Sequence, residues 1–155
     1  MNIKCALLIM LGLSATSQAT VPNALLGTWR GSEVATYAGK ILLRSTSLGT
    51  STRLEKRGSY SRGVVAIPGQ ALVSSLGWLH DSGNAFGVVT QGGRPIGISS
   101  GKWSANSTAV YSTMYVHSLA GNYTQTVRTI LTSPRTISAV SATSTGLVIR
   151  GTASK

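Results

Sequence analysis

The sequence predicts an all-β protein: an antiparallel up-and-down meander of strands closing into a small barrel, with a two-sheet sandwich as the alternative. Three observations predict it. Beyond residue 19, no stretch carries an apolar stripe at helical spacing. Short runs rich in β-branched residues recur instead, punctuated by Gly, Asn and Pro at roughly 10 to 13 residues. Within several of these runs side chains alternate with a period of two, which suits antiparallel pairing through short connections. Eight or more such strands leave exposed edges unless the sheet closes on itself, and closure is why the barrel is preferred.

The first 19 residues stand apart. Met1 to Lys4 is a short basic start, Cys5 to Leu13 is an apolar run, and Ser17-Gln18-Ala19 places small residues where signal peptidase reads them. The run is too short to be a membrane-spanning helix. Cleavage is expected after Ala19, giving a signal peptide over 1–19, a single all-β domain over 20–155, and a periplasmic or secreted protein. The full chain of 155 residues carries a net charge of +11. Removing the leader leaves 136 residues, a charge of +10 and no cysteine. A domain of this size without disulfides relies on its hydrophobic core, and cysteine-free export suits a bacterial envelope. Asn106-Ser-Thr and Asn122-Tyr-Thr match the glycosylation pattern, which such a host leaves bare.

Strands are read near 25–37, 40–48, 52–60, 62–67, 71–80, 85–91, 95–104, 108–118, 122–132, 135–143 and 146–153. Turn chemistry separates them at Ala38-Gly39, Pro68-Gly69, Asp81-Ser82-Gly83-Asn84, Gly92-Gly93, Ala105-Asn106, Ala120-Gly121-Asn122 and Ser133-Pro134. In 108–118, Tyr111, Thr113, Tyr115 and His117 share one face, and Val110, Ser112, Met114 and Val116 share the other. In 122–132, Tyr123, Val127 and Leu131 fall together.

The segment Leu25-Leu26-Gly27-Thr28-Trp29-Arg30-Gly31 opens the domain, and Arg150 lies in the last strand. Gly27-Thr28-Trp29 resembles the G-x-W signature that begins the first strand of lipocalins and the wider calycin group of β-barrels. The resemblance implies a calycin-like barrel in which Trp29 closes one end and Arg150 packs across its indole, a cation over an aromatic face. The chain departs from common lipocalins in lacking disulfides and an acidic surface. Gly-Thr-Trp-Arg-Gly also resembles nitrobindin-like haem barrels, which need a late axial His that this chain lacks. Avidin-like barrels share the Trp-rich meander, but Trp29, Trp78 and Trp103 leave none in the last third. No cofactor is therefore expected.

Beyond residue 19 the acidic residues and histidines are Glu33, Glu55, Asp81, His80 and His117. Acid–base catalysis wants two converging groups, and His80 and Asp81 are sequence neighbours that alternate across a strand end. No metal-ligand spacing, G-x-S-x-G elbow or phosphate loop occurs, so catalytic and metal sites are expected to be absent. A hydrolase using His80 or His117 is the weakest of three readings. The aromatic residues Trp78, Trp103, Tyr111, Tyr115 and Tyr123 are candidates for lining a ligand cavity, or else for filling the core. Arg53, Lys56, Arg57 and Arg62 lie within ten residues and are candidates for contact with an anionic surface.

The sequence thus points first to an exported, non-enzymatic barrel that binds a small apolar or amphipathic molecule. The alternative is a basic envelope protein that binds anionic surfaces such as lipopolysaccharide or acidic lipid. Neither a specific nucleic-acid motif nor a transmembrane span is read from it.

Overall fold

The computed structural model describes residues 20–54 and 57–155. The leader over 1–19, Glu55 and Lys56 lie outside the described residues. A short 3-10 helix, Asn23–Leu25, leads into ten strands: β1 (Gly27–Tyr37), β2 (Lys40–Leu54), β3 (Gly58–Ala66), β4 (Val73–Leu79), β5 (Asn84–Gln91), β6 (Arg94–Ala105), β7 (Ala109–Ser118), β8 (Gly121–Ser133), β9 (Thr136–Thr143) and β10 (Leu147–Ser154). Each strand pairs antiparallel with the next, and β1 pairs with β10 along Arg30–Tyr37. The sheet is therefore one closed barrel without an edge, and the sandwich alternative is excluded.

Eleven sequence segments become ten strands. The segments read as 40–48, 52–60 and 62–67 are two long strands, β2 and β3, that turn between Leu54 and Gly58. Gly49 reads as punctuation in the sequence, but it lies within β2, paired to Trp29 on one side and Gly63 on the other. A residue without a side chain there leaves room beside the large indole of Trp29.

The turns behave as their residues dictate. Ala38 and Gly39 both adopt left-handed backbone (φ 47° and 77°), the tight two-residue hairpin whose twist matches the flanking strands. Other glycines bend strands rather than end them. A Cβ at Gly31 would lie 2.1 Å from the Thr152 carbonyl oxygen, and one at Gly101 would lie 2.0 Å from that of Thr113. At these points neighbouring backbones approach more closely than any side chain allows, as a sharply coiled barrel wall requires.

Two apolar clusters fill the ends. One gathers Trp29, Leu79, Trp103, Val110, Met114, Tyr123 and Ile137 with Val21 and Leu25 of the N-terminal segment. The other gathers Ala35, Val65, Ile67, Val73, Val89, Ile96, Leu147 and Ile149. Gly101→Ala is expected to lower the unfolding free energy by about 1–3 kcal/mol through overpacking against the β7 backbone. Gly39→Asn, with open space around the turn, is expected to stay within about 0.5 kcal/mol of the parent. Urea unfolding midpoints at unchanged slope would check both.

Candidate functional site

The first end of the barrel is closed by the chain's own N-terminal segment. Trp29, 2% exposed, donates its indole N–H to the Leu25 carbonyl at 3.0 Å. The Ser51 hydroxyl donates to the same oxygen at 3.4 Å. The Arg53 guanidinium donates to the Val21 carbonyl and to Asn23 Oδ1. Lys155 Nζ sits 4.5 Å from the Trp29 ring centroid and donates to the Ala24 carbonyl at 2.8 Å. Across the same mouth, fully buried Trp103 donates its indole N–H to the His80 carbonyl at 2.6 Å. Both indoles thus brace chain turns over the opening.

Between the two apolar ends the inward face is polar. Ser45, Ser51, Ser59, Ser61, Ser75, Ser99, Ser112, Gln125, Thr129 and Ser141 are buried, with Glu33 among them. The Gln125 amide donates to Ser141 Oγ at 2.6 Å. Glu33 is 3% exposed; Ser47 hydrogen-bonds its carboxyl, while Oε2 has no partner. Burial raises its pKa above the ordinary carboxylate range, and the Ser47 hydrogen bond offsets this only in part. The interior spaces are small. A cavity of about 40 Å³ lies beside Trp29, Glu33, Ser47, Gly49 and Gly63. A second of about 40 Å³ lies among Ser61, Ser75, Ser99, Ser112 and Gln125. A third of about 20 Å³ lies under Val21 and Leu25. Each has room for water-sized molecules only.

A larger hollow lies on the outer wall. Tyr60 faces Trp78 across β3 and β4, and Trp78 faces Phe86 across β4 and β5. One step along the strands, Leu76 faces Val88, and Val88 faces Ile98. Between these two rows lies the row Ser61, Gly77, Gly87, Ser99, which points inward. Because its central pair are glycines, backbone forms the floor of an apolar trough of about 370 Å³, with His117 at its far side. Its walls stay open: Phe86 is 47% exposed and Ile98 55%. Trp78 and Phe86 stack at 5.9 Å between ring centroids, and the Trp78 indole donates to the Arg57 carbonyl at 3.3 Å. Arg62 faces Leu76 and exposed Lys102 faces Asn84, so cations flank the trough.

The five candidate ligand residues do not converge. Trp103 and Tyr123 point inward and belong to the core. Trp78, Tyr111 and Tyr115 point outward, and of these only Trp78 lines the trough. Strand parity separates them: from Tyr111 onward the odd positions of β7 face outward, whereas from Tyr123 to Thr129 the odd positions of β8 face inward. Trp29 packs in the cluster at one end of the barrel, and Lys155, not Arg150, covers its ring. Register explains the correction. Arg30 pairs with Ser154, which brings Lys155 level with Trp29, while Arg150 alternates to the outer wall opposite Val34. The basic cluster is likewise split. Arg53 points inward to hold the N-terminal segment, Arg57 and Arg62 are exposed, and Lys56 lies outside the described residues.

Among the described residues neither histidine pairs with a carboxylate. His80 Nδ1 accepts the Ser82 amide and contacts the Ser82 hydroxyl at 2.6 Å, organising the β4–β5 turn. The His117 ring packs edge-on against Tyr115 at 4.7 Å. No three His, Cys, Asp or Glu residues cluster among the described residues. Sequence reasoning missed the trough residues Leu76, Phe86, Val88 and Ile98, the buried Glu33 and the Lys155 cap. The signal for the interior was a period of two in Ser and Gly, as in Ser45-x-Ser47-x-Gly49-x-Ser51.

No protein-family model and no curated protein matches the chain. Solved structures do. A redesigned β-barrel aligns at 18% identity over 90% of this chain and 98% of its own, with a TM-score of 0.47. Another redesigned barrel, mFAP1, bound to DFHBI, aligns at 18% identity over 85% and 95%, with a TM-score of 0.43. The S-type phycobiliprotein lyase CPES from Guillardia theta aligns at 11% identity over 85% and 88%, with a TM-score of 0.45.

Lys155→Ala is expected to cost about 0.5–2 kcal/mol, through loss of the cation over Trp29 and the Ala24 hydrogen bond. Arg150→Ala should stay within about 0.5 kcal/mol, and thermal melts would separate the two. Glu33 gives a pH signature. With its folded pKa raised, its contribution to stability is complete below the ordinary glutamate value and is lost as pH rises through the raised one. Glu33→Gln is therefore expected to gain on the parent in unfolding free energy between acid and neutral pH, measured by urea titration across that range.

Proposed function

We propose that this chain is an exported, non-enzymatic barrel that binds an apolar or amphipathic molecule on its outer wall, in the trough of β3 to β6. One observation carries the reading. The trough offers about 370 Å³ bounded by aromatic and aliphatic side chains, while the interior spaces offer no more than about 40 Å³ each. Small-molecule sites usually measure roughly 300–1,000 Å³ and are mainly apolar with a few polar groups. Exposed contiguous apolar surface on a soluble domain ordinarily marks such a site. The flanking cations Arg62 and Lys102 favour an anionic head group, so a long-chain acid fits better than a neutral hydrocarbon. The roles of His80 in a turn and His117 against Tyr115 support a binding rather than a hydrolytic protein. The basic start over residues 1–4, the apolar run over 5–13 and the small residues at 17 and 19 support export to the periplasm or beyond.

A dansyl-labelled long-chain fatty acid would test the site by fluorescence titration. Saturable binding is expected, weakened about tenfold or more in Trp78→Ser/Phe86→Ser, since each aromatic removed forfeits on the order of 1 kcal/mol of apolar contact. Glu33→Gln, which alters only the interior, should bind as the parent does. Binding that ignores the double substitution but responds to Glu33→Gln would move the site inside the barrel and overturn the reading.

A further inference from the structure

The wall opposite the trough carries a different pattern. Arg128 on β8 faces Val140 on β9, which faces Arg150 on β10; Arg150 faces Val34 on β1, which faces Arg44 on β2. These five residues form one outward row across five adjacent strands, half of the barrel wall. Arginine occupies every second strand, and all three arginines are exposed. With strands about 4.8 Å apart, successive guanidinium groups originate roughly 10 Å from one another. Tyr111 continues the row on β7, with the Arg128 guanidinium 5.5 Å from its ring centroid. Beside that end lies a hollow of about 380 Å³ edged by Tyr111, Thr113, Thr126 and Arg128.

Two further features bear on what would lie there. One step along the strands, a parallel row of hydroxyls runs through Thr46, Ser32, Thr152 and Ser138. The acidic residues among those described do not answer the arginines: Glu33 points inward, and Asp81 sits in the β4–β5 turn.

We infer that this arginine row is a track for a linear acidic polysaccharide, with guanidinium groups taking its carboxylates or sulfates and the hydroxyl row meeting its sugar hydroxyls. Arginine presents a planar fork of donors that matches both anions. Shape selects the class. The row bends around half of a closed barrel, so a flat bilayer reaches few of its charges at once. Duplex DNA, with a persistence length of about 50 nm, is too stiff to follow it. Single-stranded nucleic acid would follow the curve but is held largely by bases stacking on aromatic side chains. The positions between the arginines here are Val34 and Val140, half-buried aliphatics, and Tyr111, the aromatic at the end of the row, lies under the Arg128 guanidinium. A polymer with regular charges and many hydroxyls fits what remains.

Fluorescence anisotropy with labelled heparin and labelled polygalacturonate tests the track on the whole chain, with neutral dextran as the uncharged reference. Arg44→Gln/Arg128→Gln/Arg150→Gln is expected to weaken binding of the preferred polymer about tenfold or more and to flatten its salt dependence. Arg57→Gln/Arg62→Gln/Lys102→Gln removes the same charge from the trough side and should change it by less than about threefold. Thermal melts confirm that both triple variants fold. Tighter binding of heparin identifies sulfate as the recognised group, and tighter binding of polygalacturonate identifies carboxylate. Equal losses in the two triple variants would show diffuse charge attraction and overturn the track. So would row-dependent binding of oligo(dT) or phosphatidylglycerol vesicles that exceeds binding of both polysaccharides, or no binding of either polysaccharide at low salt. Because the trough variants are separate, failure here leaves the apolar site standing.

Discussion

Pairing between β1 and β10 is the constraint on which the rest depends. Once the first and last strands meet along Arg30 to Tyr37, every strand has two neighbours and no hydrogen-bonding edge remains. Closure also makes the inside and outside of each strand unequivocal, because a period of two now maps onto interior and solvent. It sets the level at which the chain ends meet, so that Lys155 arrives over Trp29 and Arg53 reaches back to Val21 and Asn23. The glycines at 31 and 101, where backbones nearly touch, let a wall of long strands coil tightly enough to close.

Closure around small residues produces an unusual interior. Large apolar groups collect at the two ends, while serines and glycines line the middle. The spaces along this belt, among the described residues, are water-sized, about 20 to 40 Å³. Burying Glu33 in this belt is costly for its charged form, which is why its pKa is raised.

The outer wall is asymmetric. Strands β3 to β6 present aromatic and aliphatic side chains over a floor of paired glycines. Strands β8 to β2 present arginine, valine and hydroxyl rows in register. A membrane-spanning barrel needs an apolar band around its whole circumference, and Arg44, Arg128 and Arg150 interrupt any such band here. The two faces suit two kinds of contact, one apolar and one ionic.

Much of this was legible in residue order. The all-β class, the meander, most turns and the alternation within β7 and β8 follow from local chemistry: β-branched residues favour strands, and Gly, Asn and Pro punctuate them. Other features needed the tertiary structure. Gly49 falls between two strand segments in the sequence until its pairing with Trp29 and Gly63 shows it inside a strand. Alternation says that Trp78 and Trp103 lie on definite faces, but not which face is the interior, so one became a wall of the trough and the other part of the core. Arg150 and Lys155 are both basic and both near the end of the chain; only the register of β10 against β1 decides which one lies over the indole. The arginine row has no signature in sequence at all, because residues 44, 128 and 150 become neighbours only through the hydrogen-bonded registers of a closed sheet. Local propensity determines what each segment becomes. Closure and register decide what each side chain meets.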